Sequence, residues 1–398
     1  MIHKDNFNRN KVLIVSAVSF LLGFFDAFCV YILSSYLAKI SGTDNVGIFY
    51  ITAFVGVLLS LFYLQPLIRK IGKARMFYFS LGLAVLLSAL LTNMPPTIFS
   101  LVVAILFLVV NSVTWVALDI LLEGFSSDGM AGRVRGLHLT VVNTGFLIAP
   151  FLATRVLDRF EYEGVFFVMT LGYIIVFLAS LLIFRHDNAS VHEGLRPWQA
   201  LRKMLREKNL FHIYCVALAI EFFYSIMIIY MPLHLLHLGF SWKDIGIIFT
   251  IMLLPFVLLQ YPVGALADKR LGEKEMLMVG IMIIMFSTAL LPFLDSSYGL
   301  LVWGGVLFLT RVGAAMIDVL RDAYFYKQID GDDADIISFF RTARPLANVV
   351  GAAIAAFILI FFPIKSLFFV IVLVFIFALV SAILLEDTQG EEECGKKA

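Results

Sequence analysis

Twelve apolar stretches, each about twenty residues or longer, follow one another along the chain and leave few alternatives for its fold. An α-helix needs about 20 apolar residues to cross a bilayer, and only helices and closed barrels satisfy their backbone hydrogen bonds there. Charged residues are 15% of the sequence, whereas soluble domains carry about 25%. The sequence therefore predicts an all-α polytopic membrane protein with twelve transmembrane helices. Their expected limits are 11–38, 44–68, 74–93, 96–122, 136–157, 162–184, 209–237, 242–267, 275–294, 297–324, 338–362 and 364–385.

A polar linker between the sixth and seventh stretches divides the chain into two groups of six helices. The expected domains are an N-terminal six-helix bundle (1–184), the linker (185–208), a C-terminal six-helix bundle (209–385) and a tail (386–398). Within the linker, Trp198, Leu201 and Leu205 fall on one helical face, and the neighbouring cations point elsewhere. This pattern indicates a basic amphipathic helix that either lies on the inner leaflet or stays solvated.

Lysine and arginine are distributed unevenly between the two ends of the predicted helices. If residue 1 lies in the cytoplasm, most of the 30 cations fall in cytoplasmic segments, and Arg311 falls inside a helix. Cytoplasmic loops of membrane proteins carry the excess of positive charge. We therefore expect a multi-pass protein of the cytoplasmic (inner) membrane with both termini in the cytoplasm.

The two halves of the chain match each other at a constant offset of 199 residues. The matching pairs are Tyr31 with Tyr230, Gly47 with Gly246, Asp119 with Asp318, and Arg69-Lys70 with Asp268-Lys269. A repeat of this length predicts two pseudo-symmetric six-helix bundles with the same order of helices.

A charged turn from Gly264 to Lys274 joins the eighth and ninth predicted helices. Its glycines allow the backbone to reverse, and its charges keep the turn in water. The turn resembles motif A of the major facilitator superfamily of secondary transporters, which reads Gly-x-Leu-Ala-Asp-Arg/Lys-x-Gly-Arg/Lys. Asp268 and Lys269 occupy matching positions, and one extra residue precedes Gly272. The resemblance implies a transporter that works by alternating access.

The corresponding turn of the first half carries the opposite charge, because Arg69 stands where the family has aspartate. In the family, each loop lies against the start of a helix in the other half. The resemblance therefore implies an inner gate in which Asp268, beside Lys269, faces Arg133 and Arg135. Arg69 would face the aspartate-rich segment before helix eleven. The alternative is that these charges are merely solvated.

Two aspartates near the inner ends of helices four and ten are expected to belong to the same gate. Asp119 and its repeat mate Asp318 would meet loop cations such as Arg75 or Lys274. Buried or half-buried carboxylates need a cation nearby, and these loops supply one.

Helix five contains small residues at a spacing that resembles motif C of the drug–proton antiporters in this superfamily. The matching positions are Gly136, Gly145, Ala149 and Pro150. Small residues allow helices to pack closely in lipid, and proline can bend a helix. The resemblance implies export in exchange for protons, and ordinary small-residue packing is the alternative.

Ionisable residues at membrane depth are costly and often mark functional sites. Asp26 in helix one and Glu221 in helix seven are the candidate proton-coupling residues, because a buried carboxylate can exchange a proton. Three roles are open for Arg311 in helix ten. It holds one of these acids ionised, binds an anionic part of the substrate, or forms a structural pair with Glu221.

The resemblance implies that helices one, four, seven and ten line the central cavity. The substrate-cavity candidates on these helices are Arg311, Asn111, Trp115, Tyr31 and Tyr230. Aromatic rings and amides offer stacking and hydrogen bonds to a substrate, although lone aromatic residues also serve packing.

Several classes of function are disfavoured by the sequence. The net charge of +1 indicates no nucleic-acid partner, and three cysteines form neither a disulfide framework nor a metal pattern. The sequence also lacks a Gly-rich phosphate loop ending in Lys-Ser/Thr. We expect no enzymatic activity, no cofactor and no metal. The expected partners are a small-molecule substrate, protons and membrane lipid, with the chain acting as a monomer.

The favoured hypothesis is a secondary transporter that exports a small, partly apolar molecule by alternating access with proton coupling. The first alternative is uptake of an anionic metabolite that binds Arg311. The second is a membrane scaffold or lipid-translocating protein that keeps the fold without ion coupling.

Overall fold

The computed structural model describes residues 9–123, 131–183, 197–267, 272–329 and 334–386. Within these ranges the regular structure is entirely helical. The helices of the first half are α1 (Arg9–Val30), α2 (Leu33–Ser41), α3 (Gly47–Ile71), α4 (Lys73–Asn93), α5 (Ile98–Glu123) and α6 (Ala131–Ile183). Those that follow are α7 (Pro197–Arg206), α8 (Lys208–His237), α9 (Trp242–Leu258), α10 (Gln260–Leu266), α11 (Glu273–Leu290), α12 (Leu300–Lys327), α13 (Ala334–Phe340), α14 (Ala343–Ile358) and α15 (Ser366–Ile383).

Nine helices in the described ranges are long and apolar enough to cross a membrane. One of these stretches, Val141–Ile183, is interrupted at Glu161 (φ 53°, ψ −158°) and so supplies two of the predicted helices. Two shorter apolar helices, Gly47–Leu61 and Ala343–Ile358, account for the second and eleventh predicted helices. The prediction of an all-α membrane protein with twelve helices is confirmed.

The chain divides into two compact units, Met1–Gly194 and Leu195–Ala398. In the first unit, α6 packs against α1 and α4, while α5 packs against α3 and α4. In the second unit, α8 packs against α14 and α15, and α12 packs against α9 and α11. The division falls inside the predicted linker, and the exact limits of the four predicted domains stay a prediction.

Predicted helix one is broken immediately after its buried aspartate. The helical run stops at Tyr31 and Ile32, and the Ile32 amide donates to the Cys29 carbonyl at 2.9 Å. The Ser35 hydroxyl donates to the Ile32 carbonyl at 2.6 Å. The Tyr36 amide also donates to the Ile32 carbonyl, at 3.2 Å, so the backbone hydrogen bonds resume at the start of α2. The break places Asp26 in the last turns of α1 and not in the middle of a continuous helix.

Predicted helices eight and eleven are also broken, and here the cause is proline. Pro262 follows the end of α9 by four residues, so it cannot donate the hydrogen bond that the Leu258 carbonyl would accept. Pro345 leaves the carbonyl of Arg341 without its helical donor in the same way, and α14 begins afresh at Ala343.

The two short turns that resemble motif A share an unusual backbone conformation. Gly72 (φ 93°, ψ 155°) precedes α4, and Gly272 (φ 70°, ψ 161°) precedes α11. Side chains rarely adopt positive φ, so both turns need glycine. The next residues are Lys73, 7% exposed, and Glu273, fully buried, and Glu273 pairs with Lys327 of α12. The two halves therefore share their turn geometry but carry opposite charges there.

The linker helix α7 packs against α13 and α8. Among its described side chains, those of 201–206, the buried one is Met204, at 1% exposure, which the predicted apolar face did not include. Leu205, which the prediction did include, is 58% exposed. The linker helix therefore packs on the second unit through the side that carries Met204, and the side that carries Leu205 is exposed.

Candidate functional site

Four polar side chains of the first unit meet inside its helices, and we call them the Asp26 cluster. Asp26 of α1 is 5% exposed. The Asn111 amide donates to its Oδ1 at 2.8 Å, and the Trp115 indole N–H donates to its Oδ2 at 3.0 Å. The Tyr173 hydroxyl of α6 lies 3.2 Å from the same Oδ1. A carboxylate is thus held by three donors from two other helices.

Local packing explains why these side chains converge. Asn111 and Trp115 are four residues apart on α5, so they lie on one helical face. On α6, a Cβ at Gly172 would overlap the ring of Phe25, so this glycine lets Phe25 of α1 sit against α6 directly beside Asp26. Tyr173 follows Gly172 and is fully buried. Close approach of α1 and α6 thus brings the hydroxyl to the carboxylate.

The Tyr173 hydroxyl has one proton and two acceptors within reach. Its oxygen lies 3.2 Å from Asp26 Oδ1 and 3.0 Å from Asn111 Oδ1. With Asp26 ionised, the hydroxyl donates to the carboxylate. With Asp26 protonated at Oδ1, the acid donates to the Tyr173 oxygen, and the hydroxyl turns to Asn111. The cluster can therefore take up a proton by rotation of the Tyr173 hydroxyl, and the Asp26 carboxyl group keeps a hydrogen-bond partner in both protonation states.

Four charged side chains of the second unit form another group, which we call the Arg321 network. Arg321 of α12 reaches Glu221 of α8 at 3.3 Å, Asp318 at 3.8 Å and Asp322 at 3.0 Å. The exposed fractions of these side chains are 12% for Arg321, 15% for Glu221, 23% for Asp318 and 31% for Asp322. Three carboxylates thus share one guanidinium within membrane-spanning helices.

Two further residues contact this network. The Tyr224 hydroxyl donates to Asp318 at 2.6 Å. Arg344 Nε lies 4.0 Å from Glu221, but its side chain is 77% exposed, so it compensates little charge. The group consequently carries a surplus of negative charge when all three acids are ionised.

Arg311 lies deeper in α12, ten residues before Arg321, and is 1% exposed. Its guanidinium sits 4.8 Å from the ring centre of Phe223 and 5.5 Å from that of Tyr224, both on α8. These distances fit cation–π contacts. The cation that contacts Glu221 from α12 is Arg321, at 3.3 Å, and the Glu221–Arg311 pair was one of the three roles left open for Arg311.

The other cavity candidates are buried in their own units. Tyr31 is 6% exposed at the break after α1, and Tyr230 of α8 is fully buried. Asp119 is half-buried on α5, one turn beyond Trp115. The structure thus gathers Asn111 and Trp115 around Asp26, whereas Arg311 and Tyr230 belong to the second unit.

The positions that resemble motif C lie where α6 meets α1. A Cβ at Gly145 would lie 3.1 Å from the Phe20 carbonyl oxygen and 3.2 Å from the Phe24 amide nitrogen. Ala149 is fully buried and Pro150 is buried as well. Gly136 belongs to the stretch of α6 whose side chains the structure does not describe. The small residues therefore permit contact between helix backbones.

Most of the predicted inner gate cannot be placed. Asp268 and Lys269 lie outside the described residues, and so do the side chains of Arg69, Arg133 and Arg135. Asp318 is described, and the cation beside it is Arg321 of its own helix instead of the predicted loop cation. The two residues are three apart and lie on the same helical face. The contact of Asp318 with a loop cation stays a prediction.

Tyr173 and Arg321 are the functional candidates that the sequence analysis missed. Tyr173 has no local signal, since tyrosine is common in this chain. Arg321 did have a local sequence signal, because it follows Asp318 by three residues and so shares a helical face with that acid. The same helix also carries Arg311.

Three comparisons relate the chain to known proteins. A family model described as Major Facilitator Superfamily matches residues 15–326 and 243–397. The "Uncharacterized transporter YybO" of Bacillus subtilis (strain 168) is 31% identical over 128 residues, which are 32% of this chain. The match spans only 29% of that relative's length. The crystal structure of the nucleoside transporter NupG aligns with a TM-score of 0.73 and 13% identity, covering 94% of this chain and 99% of that one. At this identity, the likeness shows a shared fold.

Proposed function

The chain belongs to the major facilitator superfamily, and on that premise we propose that it exports a small, partly apolar molecule in exchange for protons. Membership makes it a secondary transporter, and members of this family are not enzymes in general. Alternating access about a central site is the mode of transport that this fold supports.

The Arg321 network is the observation that carries proton coupling. Three carboxylates near one guanidinium leave at least one negative charge uncompensated inside membrane-spanning helices. Such a charge is costly there, and a bound proton removes it. Glu221 is the acid we assign to this exchange, because it connects α8 to α12 through Arg321. Asp26 is the second candidate, since its cluster has hydrogen-bond partners in both protonation states.

The direction of transport rests on the resemblance of α6 to the antiporter motif. Gly145 allows the backbone of α6 to approach that of α1, which carries Asp26. Small residues let the backbones of two helices pack closely in lipid. The resemblance of this packing motif to that of the drug–proton antiporters supports export in exchange for protons.

The inner gate and the orientation belong to the same proposal. We place both termini in the cytoplasm, supported by the excess of cations in the corresponding segments. We assign the closing contacts to Asp268 with Lys269, Arg69, Arg133 and Arg135. The opposite charges of Lys73 and Glu273, directly after the two equivalent turns, support a gate with inverted polarity.

Neutral amide variants test proton coupling directly. Glu221→Gln and Asp26→Asn keep the size of each side chain but cannot titrate, so we expect at least a ten-fold loss of transport driven by a pH gradient. The measurement uses proteoliposomes with an acidic outside, an internal pH dye and fluorescent lipophilic cations as candidate substrates. Folding is checked by the melting midpoint in detergent.

Asp295→Asn is the matched control, because it is also an acid-to-amide change. Hydrogen bonds from the Ser297 hydroxyl and backbone amide hold the pKa of Asp295 below its usual value, and the residue lies in an exposed loop. It should stay ionised across the assay, and its variant should transport normally. Unchanged pH dependence in both Glu221→Gln and Asp26→Asn would reject proton coupling through these residues.

Uptake of an anionic metabolite is the second candidate function, and Arg311 favours it. A buried cation held against two aromatic rings of a neighbouring helix is a suitable site for a carboxylate or phosphate group. This function predicts that Arg311→Met raises the KM for the anion about 100-fold, whereas Arg311→Lys raises it less, because lysine keeps the charge.

The assay for this alternative measures uptake of radiolabelled small carboxylates and phosphate esters into proteoliposomes. Met in place of Arg311 should leave the melting midpoint within a few degrees if the residue serves the substrate. If wild-type protein accumulates none of the anions while it moves lipophilic cations, the alternative is excluded.

A further inference from the structure

The linker helix α7 presents a face that no helix in the described part of its unit covers. Arg202, Leu205 and Arg206 are spaced so that they share this face, and all three are exposed. Leu205 is 58% exposed between the two arginines. An apolar side chain flanked by cations on one helical stripe is the arrangement that interfacial helices use against a charged bilayer surface. We call these three residues the basic face.

Chain connectivity keeps the basic face close to the start of a membrane-spanning helix. α7 ends at Arg206, and the membrane-spanning helix α8 begins at Lys208. Two residues span at most about 7 Å, so the end of α7 stays within that distance of the start of α8. Where the start of α8 lies at the bilayer surface, Arg206 is within the Debye length of about 8 Å at physiological ionic strength and so within electrostatic reach of lipid headgroups.

The opposite stripe of α7 fixes its orientation. Met204 is buried, and α7 packs against α13 and α8. The helix therefore cannot rotate freely to hide Leu205 without exposing Met204. Phe211, in the first turn of α8, is an exposed apolar side chain close to α7 in the chain, at 38% exposure.

We propose that the basic face of α7 is a docking site for anionic phospholipid headgroups in the leaflet beside the linker. The arginines pair with lipid phosphates, and Leu205 enters the boundary between headgroups and acyl chains. Because α7 packs against α13 and α8, the bound lipid holds the linker helix against both. The site is independent of the transported substrate and of proton coupling.

Lipid binding to the purified full-length protein tests the proposal. Native mass spectrometry in detergent counts bound phosphatidylglycerol and phosphatidylcholine across a titration. Wild type should bind phosphatidylglycerol preferentially. Arg202→Gln and Arg206→Gln should each weaken this binding about five-fold, and the double variant about 25-fold. Arg202→Lys with Arg206→Lys should retain it, because the charge remains.

Two controls make the result specific. Arg159→Gln with Lys365→Gln removes the same charge from exposed positions elsewhere and should leave the binding unchanged. Soluble glycerol phosphate should not compete at the concentration of the lipid, since it cannot use Leu205. Equal phosphatidylglycerol binding by wild type and the double Gln variant, an equal loss in the control pair, or full competition by glycerol phosphate would each overturn the proposal.

Discussion

Replacing Arg321 with methionine is expected to unfold or strongly destabilise the second unit. The change removes the guanidinium that Glu221, Asp318 and Asp322 share, while all three acids remain. Breaking a buried ion pair by removing one partner costs about 3–5 kcal/mol, because the other charge stays buried without compensation. The melting midpoint in detergent should fall by about 10 °C or more. Transport should be lost in the same variant.

Neutralising the acids should restore stability. We expect Arg321→Met combined with Glu221→Gln, Asp318→Asn and Asp322→Asn to recover most of the lost melting midpoint, because no charge of the network is left unpaired. The rescued protein should still fail to use a pH gradient, which separates stability from coupling. Arg321→Lys is the conservative control, with a smaller loss, since lysine keeps the charge without the fork of donors. A wild-type midpoint in Arg321→Met would show that the network contributes no stability.

The number of helices was predictable, but their breaks were only partly so. Hydropathy over about twenty residues gives a strong signal for each membrane crossing, and it does not depend on tertiary contacts. The same signal is insensitive to one missing backbone hydrogen bond. Two of the breaks follow from Pro262 and Pro345, because proline lacks the backbone N–H that a continuous helix requires. The break at Tyr31 and Ile32 contains no proline, so the sequence carries no comparable signal for it.

Site residues were predictable where a charged side chain lies inside a membrane helix. They were not predictable where a common residue type gains its role only from its tertiary contacts. Asp26 was identified because a carboxylate inside a membrane helix is energetically costly and so often marks a functional site. In the structure, Asn111 and Trp115 donate hydrogen bonds to Asp26. The sequence predicted only that these two residues line the same cavity. Tyr173 is one of 14 tyrosines, so only its position against Asp26 distinguishes it. Arg321 was not singled out, because counting charges at helix ends does not show which way a side chain turns.

Helices α11 and α12 cross with their backbones in close contact at Gly313. A Gly→Ala substitution, which adds one methyl group, tests this contact. A Cβ at Gly313 would lie 2.5 Å from the Gly280 carbonyl oxygen and 2.9 Å from the Ile284 amide nitrogen. Both atoms belong to the backbone, so neither can move without separating the helices. Gly305, two turns earlier on α12, has no atom within 4 Å of its Cβ position. The same helix therefore offers a crowded glycine and an open one.

Gly313→Ala should consequently destabilise the protein, whereas Gly305→Ala should leave it unchanged or slightly more stable. Overpacking by one methyl group costs about 1–3 kcal/mol, and alanine at an open helix position gains up to about 1 kcal/mol over glycine. The two melting midpoints should therefore differ by several degrees in opposite directions. Because α12 also carries Arg311, Asp318 and Arg321, a shift of this helix should reduce transport in Gly313→Ala alone. Equal midpoints and equal transport in the two variants would contradict the close approach at Gly313, and with it the reason that this helix pair needs glycine on both sides.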